Sequence, residues 1–343
     1  MAPANRKWIF ASRPSGTPDH ENFELQEEPI PEPGPKELLL RTLYMSVDPY
    51  MRGRMRDTES YAEPWEVGDV MQCGVVAEVV ESNHPDWERG DVVNGRLEWA
   101  EYIVADPSAD DLRSVDPSIA PVSTALGVVG MPGRTAYFGL LEAGDPSPGD
   151  TLVVSGAAGA VGSVVGQIGK LAGCEVVGIA GADEKVEWLT EDLGFDAGIN
   201  YKTEDVPSAL DEHCPEGIDV YFDNVGGPIT DAVFERLALD ARVVVCGQIA
   251  LYNQEGLPTG PRKLWSLIRT RATVEGILVS DYATRFEEAT QQLGEWVSEG
   301  TLRYRENVVD GIENAPDAFL GLFEGVNVGK QLVKVADPEY ADL

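Results

Sequence analysis

The sequence predicts an α/β protein in which a β-rich first part precedes a doubly wound parallel sheet. Three observations carry the prediction. Residues 1 to 127 hold short apolar runs broken by Pro and Gly, the pattern of brief strands joined by turns. Beyond them, β-branched runs and helical periodicities alternate as far as residue 299. Where the two parts meet, Thr151 to Cys174 reads as strand, small-residue turn and helix in immediate succession.

In the first part, Glu37 to Leu43 and Gly74 to Val80 are the clearest strands, and their turn-rich setting suggests a small barrel-like domain. Ser46 to Met55 places Tyr50, two arginines and two methionines beside Pro49, which reads as a loop. Gly130 to Leu141 starts with turn residues and continues as a helix. The strand at Thr151–Val154 follows, then a helix whose Val161, Val164, Val165, Ile168 and Leu171 form one apolar stripe. The alternation continues as a strand at 175–180, a helix at 183–194, a strand at 197–200 and a helix at 205–213. Next come a strand at 218–223, a helix from Thr230, a strand at 241–246 and a helix at 262–271. A strand at 273–279 and a long helix at 281–299 close the series. In the tail, strands at 304–309 and 331–335 flank a helix at 315–323, and these strands are expected to rejoin the first domain. The domains expected are therefore 1–127 with 308–343, and 128–307.

The turn after Val154 is the chemical signal. Gly156, Gly159 and Gly162 remove the side chains that would keep a pyrophosphate from the backbone amides and the positive end of the following helix. Alanine (Ala157) stands in the first glycine place of the G-x-G-x-x-G pattern, but strand, turn, helix and second strand all fall where a Rossmann βαβ unit needs them. A site for NAD usually ends its second strand in a carboxylate for the ribose 2′-hydroxyl. Here that strand ends in Ala180-Gly181-Ala182, and Lys185 follows, which favours NADPH. Asp183 and Glu184 also follow, and either can fold back toward a ribose.

Charge and composition narrow the setting. With 59 acidic against 26 basic residues the net charge is −33, spread along the chain, and only eight of the basic residues are lysine. Such a balance points to a salt-adapted cytoplasm, where screening relieves self-repulsion, and makes nucleic acid a poor partner. No apolar run is long enough to span a bilayer, and the N-terminus lacks the apolar core of a signal peptide. The four cysteines, Cys73, Cys174, Cys214 and Cys246, are far apart, and the three histidines sit among polar residues. Neither a disulfide framework nor a zinc site is expected.

Together these residues resemble the zinc-independent medium-chain dehydrogenase/reductases, and within them the double-bond reductases that include the prostaglandin, plant alkenal and bacterial curcumin reductases. The resemblance spans nearly the whole chain. It is carried by VDPYMRGRM at 47–55, GMPGRTAYFGLLEAG at 130–144, VSGAAGAVGSVVGQIGKLAG at 154–173, GFDAGINYKTED at 194–205, GIDVYFDNVGG at 217–227 and CGQIALYN at 246–253. It implies a GroES-like first domain, a Rossmann second domain and a homodimer. It further implies that Gly159, Ala160, Val161 and Gly162 hold the pyrophosphate and that Lys185 and Tyr201 flank a 2′-phosphate. Asn224 would sit at the fourth-strand edge of the cofactor cleft. Cys246, Gly247, Gln248, Ile249 and Tyr252 would run beneath the nicotinamide half, joined by Ile277, Leu278, Val279 and Asn327. Tyr252 would face the substrate carbonyl, and Tyr50 would be a substrate-pocket aromatic. Arg134 stands where the family motif has an apolar residue, and Gln248 and Leu251 change the run before Tyr252.

The chemistry so implied is NADPH-dependent reduction of a C=C bond conjugated to a ketone or aldehyde. It needs hydride delivered to the β-carbon and a donor at the enolate oxygen, with no metal. Quinone reduction on the same metal-free scaffold, or cofactor binding without turnover, are the alternatives.

Overall fold

The short apolar runs of the first part pair as an antiparallel system. In the computed structural model, which describes residues 4–58 and 60–341, β1 (Ala4–Phe10) and β2 (Phe23–Pro29) form a hairpin in register from Ala4 opposite Pro29 to Phe10 opposite Phe23. A seven-stranded sheet is built on β3 (Leu38–Ser46). One side of β3 pairs with β4 (Gln72–Ser82), which continues to β5 (Val92–Glu98) and β7 (Arg113–Ser114). Its other side is shared: Leu38–Arg41 pair with β6 (Tyr102–Ala105), and Tyr44–Ser46 with the tail strand β15 (Lys330–Lys334), beyond which lies β14 (Glu306–Asp310).

The C-terminal segment is held there by a buried charge. Glu78, fully buried on β4, accepts backbone N–H groups from Glu339 at 2.8 Å, Tyr340 at 2.6 Å and Ala341. A carboxylate without water needs such donors. Phe10, Trp65, Trp99 and Phe319 fill the core under this sheet. The compact unit so formed comprises Met1–Leu126, Glu306–Asn327 and Gln331–Leu343.

A second unit, Gly127–Arg305 with Val328–Lys330, is a six-stranded parallel sheet in the order β10-β9-β8-β11-β12-β13. Its strands are β8 (Thr151–Ser155), β9 (Glu175–Ala180), β10 (Ala197–Asn200), β11 (Ile218–Asp223), β12 (Leu237–Val245) and β13 (Thr273–Gly276). This is the doubly wound order, with the chain reversing direction between β8 and β11. All five residues of β8 are buried, as its position between two strands requires.

The first helix after the glycine turn packs differently from its stripe. In α3 (Gly162–Leu171), Val164, Val165 and Ile168 are buried, but Leu171 is 49% exposed at the helix end. Glycines bring the rest of α3 against the sheet: a Cβ on Gly166 would lie 1.9 Å from the Phe195 ring, and one on Gly169 would lie 2.4 Å from Leu152.

Elsewhere the boundaries shift for tertiary reasons. The helix expected over 130–141 is α2 (Met131–Phe138), continued by a wider turn at Gly139–Gly144 where Gly139 clears Phe222 and Ile277. The strand expected to reach Val279 stops at Gly276, and the long helix expected from 281 begins only with α8 (Phe286–Ser298). Val279–Arg285 is a tighter helical segment interrupted at Tyr282, whose ring stacks on Phe138 at 4.7 Å. Arg285 lies over the same Phe138 ring. The expected loop at 46–55 contains one helical turn, α1 (Met51–Arg54). There, buried Arg52 donates to the Gly16 carbonyl at 2.7 Å, and buried Arg54 donates to the Glu63 carbonyl at 2.8 Å and covers Trp65. Among the described residues, no helix is long and apolar enough to cross a membrane.

Candidate functional site

The predicted cofactor residues of the second unit gather at the C-terminal ends of its strands. The turn after β8 is shaped by its own backbone: Gly156 takes φ +59°, and a Cβ on Gly162 would lie 2.4 Å from the Gly156 carbonyl oxygen. Gly162 therefore serves close packing of turn on helix, while half-buried Gly159, Ala160 and Val161 form the accessible rim. The Gly329 N–H reaches the same turn, donating to the Ala158 carbonyl at 2.8 Å. Only glycine fits at 329, where φ is +70° and a Cβ would lie 2.0 Å from the Arg305 carbonyl oxygen. Asn327, two residues earlier, belongs to the first unit.

A buried aspartate, through its carboxylate and its backbone carbonyl, ties three of these strand ends together. Asp223 closes β11 and is fully buried. Its Oδ1 accepts from Ser155 Oγ at 2.9 Å, Tyr221 Oη at 2.9 Å, and the N–H groups of Val225 at 3.0 Å and Gly226 at 2.9 Å. Its Oδ2 accepts from Thr230 Oγ1 at 2.7 Å, on the first turns of α6 (Gly227–Phe234). The backbone carbonyl of Asp223 accepts the N–H groups of Cys246 and Gly247, which fixes the segment leaving β12. Asn224 completes the joint, its amide donating to the Ser155 carbonyl at 2.8 Å.

Beyond Gly247 the chain turns back on itself. Gln248 is exposed, Ile249 starts a single tight turn, and the Gln248 N–H donates to Tyr252 Oη at 3.3 Å. A Cβ on Gly247 would come within 3.2 Å of that hydroxyl. Burial raises the Tyr252 phenol above its ordinary value, the Gln248 N–H opposes the rise, and the Asp223 charge adds to it. Ile277 donates its N–H to the Val245 carbonyl, and half-buried Leu278 and Val279 follow.

At the other side of the turn, β9 ends below Tyr201, whose ring would be 2.8 Å from a Cβ on Gly181. Lys185, on the short helix α4 (Asp183–Glu187), is buried, and that burial lowers its proton affinity, with the Lys202 ammonium acting in the same direction. Asp183, one of the two acids that the sequence left able to turn toward a ribose, accepts the Asn200 amide on its Oδ1 at 2.6 Å. Tyr50, in the first unit, is half-buried against that unit's core, and its phenol is raised by burial and by Asp48. Arg134 is spent within the second unit, donating to Thr290 Oγ1 at 2.9 Å and covering Phe286 at 4.8 Å.

Asp223, Ser155, Gly329 and Lys202 were absent from the sequence-based site. An acid closing the apolar run Val220–Phe222, and a second lysine in a lysine-poor chain, are the sequence signals for two of them. Nothing local marks Gly329. Among the described residues no three His, Cys, Asp or Glu side chains converge as metal ligands.

Comparison with known proteins fits this geometry. Residues 6–115 match the family described as N-terminal domain of oxidoreductase, and residues 160–297 the family described as zinc-binding dehydrogenase. The NADPH-dependent curcumin reductase of Escherichia coli (strain K12) is 48% identical over 97% of both chains. The chain belongs to the medium-chain dehydrogenase/reductases, in their zinc-independent double-bond reductase branch. Within that branch it is 41% identical to the NADP(+)-dependent 2-alkenal reductase of Nicotiana tabacum, over 97% of this chain and 98% of that one. CurA from Vibrio vulnificus, solved in complex with NADPH, superposes with a TM-score of 0.92 at 46% identity, covering 97% of this chain and 100% of that one.

The one cysteine of this site, half-buried after β12, is held as a thiol by its surroundings. Burial, reinforced by the nearby Asp223 charge, pushes the Cys246 thiol up to about 12. Near pH 8 it then carries on the order of a thousandfold less thiolate than a free cysteine. Alkylation by iodoacetamide followed by peptide mass mapping is expected to leave Cys246 unmodified in the folded protein, and rapid labelling there contradicts this.

Proposed function

We propose that the chain is an NADPH-dependent reductase of the C=C bond of α,β-unsaturated ketones and aldehydes. The observation that carries the reading is the corner at the end of β9. A buried lysine, Lys185, lies there, and one of the two acids that follow β9, Asp183, has its Oδ1 engaged by the Asn200 amide. The residues fit a phosphorylated dinucleotide: the half-buried rim Gly159, Ala160 and Val161 at the start of α3 presents backbone to a pyrophosphate, and the corner offers positive charge for a 2′-phosphate. Full-length identity to reductases of curcumin and of 2-alkenals supports the substrate class.

In this reading residues 128–307 hold the cofactor, and 1–127 with 308–343 supply the substrate side. Gly159, Ala160, Val161 and Gly162 take the pyrophosphate, and Lys185 and Tyr201 take the 2′-phosphate. Asn224, Cys246, Gly247, Gln248, Ile249, Ile277, Leu278, Val279 and Asn327 line the nicotinamide half. Bound NADPH supplies the hydride for the β-carbon of the substrate. Tyr252 supports the negative charge that develops on the conjugated oxygen. A phenol is protonated at neutral pH, and burial raises this one further, so the hydroxyl acts as a donor. The α-carbon then takes its proton from Tyr252 or water, and Tyr50 is the aromatic that faces the substrate.

The assembly we infer is a homodimer in a salt-adapted cytoplasm. Thr273–Gly276 of β13 is exposed at every residue and forms the open edge of the parallel sheet. Nearby in sequence, α7 (Leu264–Thr270) leaves Leu264 71%, Trp265 71% and Ile268 68% exposed. Residues 256–274 contain four basic residues and no acid, so two chains of net charge −33 repel each other least there. Trp265→Asp is expected to yield a monomer by light scattering in concentrated KCl; an unchanged dimer would contradict this interface, and a monomeric parent would contradict the assembly itself.

Tyr252→Phe tests the chemistry. Loss of one such donor lowers kcat by roughly a hundredfold or more, while the NADPH dissociation constant is expected to stay within about twofold. The parent is expected to oxidise NADPH with a 2-alkenal and an enone, and faster than with a quinone. Turnover with quinone alone, or binding without turnover, contradicts the proposal.

A further inference from the structure

Resting on the NADPH reading above, a second recognition residue is visible at the corner of β9 and β10. The turn after β10 is organised by Asn200. Its carbonyl accepts the N–H groups of Thr203 and Glu204, its Oδ1 accepts the Lys202 N–H at 3.1 Å, and its own N–H donates to Glu204 Oε1 at 2.6 Å. Its amide also donates to Asp183 at the start of α4, which stitches this turn to the helix that carries Lys185. Tyr201 is anchored between them, with its N–H on the Ala180 carbonyl at 3.1 Å and its ring over Gly181.

The consequence is two ammonium groups brought to one corner of a chain that has eight lysines and a net charge of −33. They are near enough for the Lys202 charge to lower the proton affinity of Lys185, with Glu184 offsetting part of that effect. Two like charges held together gain most from a dianion, which satisfies both at once. A phosphate monoester is that dianion, whereas a ribose hydroxyl offers no charge to either. Two of the four acids around the turn, Asp183, Glu184, Glu204 and Asp205, are engaged by Asn200: Asp183 by its amide and Glu204 by its backbone N–H.

We propose that Lys202 is a specificity-determining residue that shares recognition of the 2′-phosphate with Lys185, so that preference for NADPH over NADH is divided between an exposed and a buried cation. The two differ in how salt affects them. Lys185 is 9% exposed, so mobile ions screen it weakly. Lys202 is exposed, and at about 1 M salt the screening length falls to roughly 3 Å. Lys202 therefore contributes chiefly at low ionic strength, and Lys185 at all ionic strengths.

The test is fluorescence titration of the full-length protein with NADPH and with NADH, at about 0.1 M and about 2 M KCl. At low salt Lys202→Ala is expected to weaken NADPH about tenfold, the scale of one charge-assisted hydrogen bond, and NADH less than about twofold. At high salt its effect on NADPH shrinks, while that of Lys185→Ala persists. Lys202→Glu is expected to lower the NADPH preference further than Lys202→Ala. Lys170→Ala, which removes a cation of the same unit from its ion pair with Asp196, is expected to leave the preference unchanged. A parental preference retained by Lys202→Ala at low salt overturns this inference and leaves the NADPH reading standing. Equal loss of both nucleotides also overturns it, as a purely structural effect. A parent protein that binds NADPH no better than NADH overturns both.

Discussion

The arrangement of the candidate site depends on one buried carboxylate. Asp223 ends β11 where the sheet switches direction, and five donors converge on its two oxygens. The side chain and backbone of this one residue together fix three elements. The end of β8 is tied through Ser155, the start of α6 through Gly226 and Thr230, and the segment after β12 through the N–H groups of Cys246 and Gly247 on the Asp223 carbonyl. A charge this deep costs several kcal/mol unless its hydrogen bonds are complete, so the joint either forms as a whole or not at all. That cooperativity suits a site whose parts come from distant stretches of sequence.

Around the joint, small residues set distances. Gly162 lets α3 approach the turn, Gly181 admits the Tyr201 ring, Gly247 clears the Tyr252 hydroxyl, and Gly329 brings the C-terminal segment onto the turn through Ala158. The charged groups divide by depth. Lys185 is buried near the exposed Lys202 at one end of the site, while at the other the Tyr252 and Cys246 protons are held by burial. One end can thus bind anions while the other holds neutral donors, as reduction of a conjugated alkene by a phosphorylated nucleotide requires.

Much of the parallel sheet was legible because its strands are buried on both faces and so read as apolar runs, as in Thr151–Val154 and Val220–Phe222. The glycine turn was legible for the opposite reason, since a local backbone requirement leaves a local composition. Features set by distant contacts were not. The break at Tyr282 follows from stacking on Phe138, nearly 150 residues earlier in the chain. The stretch read as a loop at 46–55 holds the helical turn Met51–Arg54, which buries Arg52 and Arg54. Leu171 fits the helical period yet lies past the covered part of α3. Asp183 was ambiguous until its bond to Asn200, on the neighbouring strand, fixed its direction. Lys202 and Asp223 escaped notice because a single charged residue has no periodicity to reveal it.

The central claim, that Asp223 holds the site together, is tested most directly by measuring thermal stability and NADPH affinity on the same variants. Asp223→Ala leaves five donors without their acceptor, and we expect it to lose about 3 kcal/mol or more of stability together with most of its NADPH affinity. Asp223→Asn, which keeps one acceptor oxygen, should recover part of both. An Asp223→Ala protein with parental melting temperature and parental NADPH affinity would contradict the account.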